Sequence, residues 1–423
     1  MFVSCLRNAA WCGWLLIVAF AAPRATVAAG RALTLQQAVE RTLEHNPDLA
    51  AFGYEVEAHD GVLRQAGARP NPEVGLLVEN ALGTGRRSDF DSAETTLSLG
   101  FLIERGARER RVDVARAGGE ALATEAQIRR LDLAAEAARR FIVVLERQQA
   151  FANARAATQL VEGTLEAVRE RVRAARVPDA EEARAHAQLS RARLAEEHEE
   201  HELASARLRL AALWGASMAD FDYAQGDLLA LPPLEPFETI RGRIENNADF
   251  ARLVSLKRVR EAELQFAQTR ARPPWHMTAG VRWFEDEDDH AFVVGITIPI
   301  ASRDMAKGAI AQAQARSAQV DAETQALRIR LDAELFALYQ DLNHAYTEVA
   351  MLRDDVVPRI EAALEQTRYA YERGRYGYVE WVAAQRELLD VRTSLLEALA
   401  QLHQFRIEIE RLTGTAVGAP VRE

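Results

Sequence analysis

The sequence predicts a mainly α-helical protein with a small β part, in which one unit made of a helix, a β-hairpin and a long helix pair occurs twice. Apolar residues recur at alternating intervals of three and four over residues 331–356 and 388–412, the seam spacing of a coiled coil. Four other stretches of about nine residues alternate between apolar and polar side chains, as strands do. The composition also favours long helices, because 48% of the residues are hydrophobic and only 7% are aromatic.

The first 29 residues are predicted to be a secretory signal peptide. They carry an early positive charge at Arg7, an apolar run over residues 9–22 and small residues before Gly30. Both cysteines, Cys5 and Cys12, lie inside this segment, so the mature chain offers no thiol for a disulfide or a metal.

The charge and hydropathy of the mature chain exclude two classes of protein. Removing the signal segment takes away Arg7 and Arg24 and no acid, so the formal charge changes from −11 to −13. That balance argues against a nucleic-acid partner. No later apolar run approaches the roughly 18 residues of a spanning helix, which excludes a pump with membrane helices of its own.

The first repeat is predicted to occupy residues 30–214. A helix capped by Thr34 runs to about Arg69, with a kink or brief break at Asn46-Pro47. A β-hairpin follows at residues 72–103. A long helix pair occupies residues 107–214, with its turn near Pro178.

Residues 215–235, rich in Gly and Pro, are predicted to be a linker, and a second repeat follows at residues 236–414. It contains a β-hairpin at 275–300 and a long helix pair at 305–413, and residues 415–423 form a tail. Residues 246–250 correspond to 45–49, at an offset of roughly 200 residues, which indicates a duplication of the whole unit. The helical arm over residues 305–373 would reach roughly 100 Å, with a kink at Pro358.

The four predicted strands cannot close a barrel alone, because roughly eight strands are needed and open edges are not tolerated in lipid. Their length is the one that crosses a bilayer when tilted. The sequence therefore predicts that several chains share one barrel. Three chains would supply twelve strands, and their long helices would continue the same cylinder.

Short motifs spread over the mature chain carry a family resemblance. They are Leu33-Thr34-Leu35-Gln36-Gln37-Ala38, Asn46-Pro47, Arg69-Pro70-Asn71-Pro72-Glu73, Tyr371-Glu372-Arg373-Gly374 and Ala384-Gln385 with Leu388. Together with the duplication, they resemble the outer-membrane factor (TolC) family. The run from Pro70 to Asn80 is most similar to the heavy-metal, CzcC-like branch.

The resemblance implies a homotrimer with a twelve-stranded outer-membrane β-barrel, continued by a periplasmic α-helical coiled-coil barrel. It also implies an exit duct that works with a periplasmic adaptor (membrane fusion) protein and an inner-membrane RND-type pump. The expected location is the cell outer membrane, in contact with its lipid.

The resemblance further implies a ring of acids after the second helix turn. One position of that ring falls on Glu380, whereas the other falls on Ala383, so Asp179 and Glu181 of the first repeat are candidates to complete it. Converging carboxylates would form a pore constriction that favours cations. Alternatively, these acids are surface charges at helix N-termini.

The second turn itself corresponds to the family's contact with the adaptor. Its residues are Gly374, Arg375, Tyr376 and Gly377. Simple turn chemistry, with glycine at positive φ, is the alternative interpretation, and both can hold together.

Two groups of residues are weak candidates for binding metals. The acidic residues 285–290 offer hard oxygen ligands, but a hydrated hairpin tip is the favoured interpretation. His198 and His201 stand three apart on a helix, where a surface charge run is favoured over a metal site. No nucleophile constellation, phosphate loop or His-Glu-x-x-His motif is present, so we predict no catalytic residue, no cofactor and no enzyme activity.

The predicted function is export of heavy-metal cations of the Co/Zn/Cd or Cu/Ag type through an outer-membrane duct. Drug efflux and type I secretion are alternatives, since a duct's substrate is largely set by its pump. A soluble periplasmic coiled-coil scaffold would share the helices but has no use for strands with a lipid-facing stripe. A third hypothesis, after the duct and the scaffold, is a helical metalloenzyme built on His198 and His201.

Overall fold

A computed structural model describes residues 31–300 and 303–415, and it confirms a mainly α-helical chain with a small β part. The signal-peptide prediction for residues 1–29 and most of the predicted tail lie outside the described residues. In chain order the elements are β1 Ala32–Thr34, α1 Leu35–His45, α2 Pro47–Gly67, β2 Glu73–Glu79, β3 Glu94–Ile103, α3 Ala107–Arg173, α4 Asp179–Ala211, β4 Tyr223–Gln225, α5 Phe237–Arg241, α6 Ala248–Thr269, β5 Trp275–Phe284, β6 Asp289–Thr297, α7 Arg303–Met351, α8 Val357–Glu372 and α9 Tyr378–Leu412.

The first helix begins and breaks where its sequence predicts. The hydroxyl of Thr34 accepts a hydrogen bond from the Gln37 amide at 3.3 Å, and the Gln37 side chain accepts one from the Thr34 amide at 3.1 Å. This reciprocal pair is a capping box. Asn46 interrupts the helix, because its side-chain oxygen accepts from the amides of Asp48 and Leu49 at 2.9 and 3.0 Å and so starts α2.

One antiparallel sheet joins the two repeats, with the strand order β2-β3-β5-β6. The central pair unites β3 of the first repeat with β5 of the second, in a register that places Leu97 opposite Val281 and Ile103 opposite Trp275. Both outer strands, β2 and β6, keep one unpaired edge within the described chain.

One face of this sheet is apolar across all four strands. Val74 lies opposite Leu99, which lies opposite Ala279, which lies opposite Val294. These side chains are exposed to solvent in a single chain, since Val74 is 75% exposed and Val294 is 73% exposed. A continuous exposed apolar face of this kind needs lipid or another apolar partner.

Arg282 connects three strands on the polar face of the sheet. Its guanidinium donates to Glu79 of β2 at 2.8 Å, to Glu94 of β3 at 2.7 Å and to the hydroxyl of Thr96 at 2.9 Å. One side chain from the second repeat therefore bridges both strands of the first-repeat hairpin.

The long helical arm of the second repeat contains a π-helical turn at Leu352–Val356, between α7 and α8. Pro358 follows this turn at the start of α8. A proline has no amide hydrogen and its ring crowds the preceding turn, so a wider turn accommodates it. The irregularity expected at Pro358 thus takes the form of a π turn.

The predicted coiled-coil seams are buried. Leu335 and Val349 of α7 are at most 1% exposed, and Leu402 of α9 is fully buried. They belong to one large core that α1, α3, α4, α7 and α9 share. A second core at the far end of the long helices combines both helix pairs.

The stretch predicted as a linker, residues 215–235, contains an element that the sequence did not reveal. Strand β4 pairs in parallel with β1, with Leu33 opposite Ala224. Both side chains are buried, at 0% and 4% exposure. Three-residue strands are too short to show a period, which explains why the pattern missed them.

The two repeats make equivalent hydrogen bonds at the ends of their long helices. Asn46 donates its side-chain amide to the carbonyl of Leu213 at 2.8 Å, and Asn247 donates to the carbonyl of Leu412 at 2.9 Å. Each asparagine also caps the helix that follows it. Both returning helices end at a left-handed glycine, Gly215 with φ 75° and Gly414 with φ 64°.

Among residues 31–300 and 303–415, no helix has both the length and the apolar character that a membrane crossing requires.

Candidate functional site

The candidate site is the end of the molecule at which both long helix pairs turn. In the first repeat, α3 gives way to α4 through residues 174–178, and Ala175 adopts φ 53°. In the second repeat, α8 gives way to α9 through residues 373–377, and Gly374 adopts φ 71°. The left-handed position explains the glycine in the second turn, whereas Ala175 adopts the same region at a steric cost.

An aromatic cluster holds the two turns together. The rings of Tyr371 and Trp381 lie 4.8 Å apart, and the guanidinium carbon of Arg171 lies 4.4 Å from the Tyr371 ring centroid. Arg171 also donates a hydrogen bond to the backbone carbonyl of Tyr371. Arg171 of the first repeat therefore binds the end of α8 in two ways, by a cation–π contact with the ring and by a hydrogen bond to the backbone.

Polar side chains, both buried and exposed, connect the helices just behind the turns. The side-chain amide of Gln385 donates to the hydroxyl of Thr164 at 2.7 Å, and both residues are buried. Arg386 donates to the side-chain oxygen of Gln188 at 3.1 Å. The two helix pairs are thus joined by specific contacts as well as by apolar packing.

Four buried polar atoms of the cluster have no hydrogen-bond partner within residues 31–300 and 303–415. They are Arg171 Nε, Glu181 Oε2, Tyr371 OH and Trp381 Nε1. Burial raises the pKa of Tyr371, Arg171 lowers it and the negative charge of Glu181 raises it. The hydrogen bonds of the aromatic cluster are therefore not saturated within one described chain, and its rings and Arg171 are held by stacking and by the packed helices behind them.

The predicted constriction acids occupy three different environments. Glu380 is exposed in the first turn of α9, and its carboxylate accepts a hydrogen bond from the Gly377 amide at 3.1 Å. Asp179 is exposed at the start of α4. Glu181 is half-buried beside the tyrosines. Within one chain, the Glu380 carboxylate therefore interacts with the N-terminus of α9, as the alternative interpretation of this acid expected.

The predicted contact residues at the second turn are all accessible. Gly374, Arg375, Tyr376 and Gly377 are exposed, and the Tyr376 ring is 52% exposed. Turn chemistry and availability for a partner coexist here, because Gly374 has positive φ and the side chains beside it point into solvent.

The two weak metal candidates lie away from this end and from each other. His198 and His201 are exposed on α4. Of the acidic residues 285–290, the first four form the exposed turn between β5 and β6, and the last two begin β6. Among the described residues, no group of three or more potential ligands is placed to hold a metal ion. His290 instead stacks on Trp283, with ring centroids 6.1 Å apart.

The aromatic cluster was missed in the sequence, although a signal for it exists. Five aromatic residues fall within residues 369–381 of a chain that is only 7% aromatic. Arg171 carries no such signal, since it is one of many arginines on α3 and only the fold brings it to Tyr371.

Comparison with known proteins agrees with this architecture. The profile of the family described as "Outer membrane efflux protein" matches residues 38–216 and 251–415. The chain is 28% identical to the cobalt-zinc-cadmium resistance protein CzcC of Cupriavidus metallidurans over 388 residues, which is 90% of each chain.

Solved structures share the fold at low sequence identity. A membrane protein from Pseudomonas aeruginosa superposes with a TM-score of 0.74 at 18% identity, covering 90% of both chains. The outer membrane protein VceC from Vibrio cholerae gives 0.71 at 18% identity, covering 90% of this chain and 96% of its own. CusC gives 0.65 at 17% identity, covering 90% and 92%. The predicted resemblance is confirmed, and the chain belongs to the outer membrane efflux protein family.

Proposed function

We propose that three copies of this chain form one exit duct, with a twelve-stranded barrel in the outer membrane and a helical tunnel in the periplasm. The observation that carries the proposal is the four-stranded sheet with two open edges and one continuous apolar face. Edges β2 and β6 of neighbouring copies would pair, which removes every unpaired strand edge from lipid.

The narrow entrance of the tunnel is assigned to the helix turns, with Glu380, Asp179 and Glu181 as its acids. In a trimer, each acid occurs three times around one axis. Their mutual repulsion is lowered by a passing cation, so the entrance would favour cations over anions. The exposed position of Glu380 and Asp179 at the starts of α9 and α4 supports this assignment.

Neutralising the constriction is expected to reduce its preference for cations. Glu380→Gln keeps an oxygen that can accept from the Gly377 amide, so the helix start should survive while the charge is lost. Combined with Asp179→Asn and Glu181→Gln, we expect a severalfold decrease in the cation-to-anion permeability ratio in planar bilayers. Glu387→Gln, an exposed acid further along α9, is the matched control. An unchanged ratio in the triple variant would remove these acids from the constriction.

The exposed turns are assigned to contact with a periplasmic adaptor protein. Alongside Gly374, Tyr376 and Gly377, four arginines are exposed on the two turns: Arg173, Arg176, Arg373 and Arg375. Such a surface suits an adaptor tip that presents carboxylates or backbone carbonyls. The adaptor would connect the duct to an inner-membrane RND-type pump, which supplies the energy.

Heavy-metal cations are the proposed substrates. The support is the 28% identity, over 90% of both chains, to a protein named for cobalt, zinc and cadmium resistance. A cation-selective entrance agrees with this substrate class.

Deleting the gene is expected to lower tolerance to one group of cations at least severalfold. Growth of the deletion strain and of a complemented strain would be compared in Co²⁺, Zn²⁺, Cd²⁺, Cu⁺ and Ag⁺, with a hydrophobic drug as the control. Unchanged cation tolerance together with reduced drug tolerance would contradict the metal substrate and leave the duct in place.

A further inference from the structure

Residues 223–232, which we call the belt, run from α3 of the first repeat to α7 of the second. The side-chain amide of Gln148 on α3 donates to the Ala224 carbonyl at 3.0 Å, and its oxygen accepts from the Ala224 amide at 2.6 Å. Tyr346 of α7 donates its hydroxyl to the carbonyl of Pro232. The two ends of the belt are therefore attached to helices of different repeats.

A buried histidine attaches the middle of the belt to α9. The Nε2 atom of His403 lies 2.9 Å from the carbonyl oxygen of Leu228. His403 is 9% exposed and Leu228 is 8% exposed. A carbonyl oxygen only accepts hydrogen bonds, so Nε2 must carry the hydrogen of this contact. One titratable ring in the core therefore joins the linker to the returning helix of the second repeat.

The belt also covers a cavity of about 440 Å³ between α3 and α9. Residues 226–229 form one side of it, and apolar side chains that include Leu145 and Leu399 form the other. A Cβ atom on Gly226 would lie 2.8 Å from the Cδ1 atom of Leu145, so the belt passes close to α3 at this residue. The cavity interrupts the apolar packing beneath the belt, which increases the share of the attachment that the His403 contact supplies.

Charged groups face His403 from its own helix and from the belt. They are Arg406 and Glu410 on α9, which pair with each other at 2.8 Å, and Asp227 on the belt. Burial lowers the pKa of His403 below its ordinary value of 6.5; the Leu228 carbonyl raises this pKa, Arg406 lowers it, and Glu410 and Asp227 raise it. Because burial has the largest effect, the ring takes up its second proton only in mild acid.

The other two attachments of the belt do not titrate in that range. Gln148 has no ionisable group. Burial raises the pKa of Tyr346, although Arg406 lowers it, so the hydroxyl keeps its hydrogen. A fall in pH therefore acts on the middle attachment and leaves those at the two ends unchanged.

We propose that His403 makes the attachment of the belt to α9 sensitive to pH, so that the middle of the belt detaches in mild acid. Among the hydrogen bonds of residues 31–300 and 303–415, the ring has the Leu228 carbonyl as its partner, so Nδ1 of a charged ring would be buried without an acceptor. Since the pKa of His403 is lower in the folded protein than the ordinary 6.5, the attachment is complete above 6.5 and is lost as the pH falls through the lowered pKa. All of these contacts lie within one chain, so the inference does not depend on the proposed trimer.

The test is hydrogen–deuterium exchange of the full mature protein in an uncharged detergent, at about pH 8 and about pH 5, the range over which histidine changes its charge. Rates are corrected for the intrinsic effect of pH on amide exchange. The amides of residues 229–231 donate hydrogen bonds within the belt, and we expect their protection to fall severalfold in acid. The amide of Ala224, which donates to Gln148, should keep its protection.

Two variants separate the proton from the contact itself. His403→Gln keeps a side-chain donor for the Leu228 carbonyl but takes up no proton, so its belt should have the same protection at both pH values. His344→Gln, which replaces an exposed histidine of α7, is the matched control and should lose protection in acid as the wild type does.

Two results would overturn the proposal. One is a wild-type belt with the same corrected protection at both pH values. The other is an equal loss in His403→Gln and in the wild type. If His403→Gln does not fold, the wild-type protein decides alone. An equal loss at Ala224 and at residues 229–231 would then contradict the proposal, because it would indicate general unfolding in acid rather than release at His403.

Discussion

Replacing Gly280 with alanine is expected to prevent the two hairpins from joining into one sheet. A Cβ atom on this residue of β5 would lie 2.4 Å from the Leu97 carbonyl oxygen and 2.9 Å from the Ser98 Cα. Both atoms belong to the backbone of β3, which cannot yield without breaking the central strand pairing. We expect a loss of about 3 kcal/mol in the free energy of unfolding per protomer, the upper end of what overpacking costs, because the clash is with backbone. The measurement is the temperature at which the proposed trimer dissociates on a semi-denaturing gel.

The control for that variant is Gly61→Ala in α2. Apart from its chain neighbours and the backbone of its own helix, no described atom lies within 4 Å of the position where its Cβ would stand. Because alanine is favoured over glycine in a helix, the control should be unchanged or stabilised by about 0.5–1 kcal/mol. A Gly280→Ala protein that assembles and melts like the control would show that the close approach of β3 and β5 is not needed.

Replacing Asn247 with alanine is expected to loosen the second repeat where its helices meet. The residue is 1% exposed, caps α6 through the Asp249 amide at 2.8 Å and donates to the Leu412 carbonyl at 2.9 Å. The substitution removes the cap, worth about 1 kcal/mol, and leaves a buried carbonyl unpaired, which costs about 1–3 kcal/mol. We expect a loss of about 2–4 kcal/mol per protomer, measured by thermal melting of the helical circular dichroism signal.

Asn46→Ala should behave in the same way, because Asn46 makes the equivalent contacts in the first repeat. Asn343→Ala, on an exposed face of α7, is the matched control and should change stability by less than about 0.5 kcal/mol. If both buried variants have the melting temperature of the control, the contacts of the two asparagines do not stabilise the ends of the helix pairs.

Long periodic elements could be predicted from the sequence. The seam through Leu335 and Leu402 repeats often enough to specify both the helix and its buried face. The break at Asn46-Pro47 also follows from local chemistry, since asparagine caps the next helix and proline favours its first position. The apolar face of the sheet follows from the alternation in each strand, because side chains of period two fall on one side.

Contacts between distant parts of the chain could not be predicted in this way. Arg282 and Glu79 are far apart in sequence, and no local pattern marks their ion pair. Arg171 meets Tyr371 only because both helix pairs end at one level. The pairing of β1 with β4 likewise depends on the packing of two short segments whose own sequence carries no period.

The most direct test of the central claim is the number of chains in the purified particle. The claim is that one chain supplies a third of a closed wall, so its sheet is stable only when copies pair edge to edge in lipid or detergent. Native mass spectrometry of the detergent-purified protein should show three copies of the mature chain and no stable monomer. A monodisperse single chain that stays in solution without detergent would contradict the account.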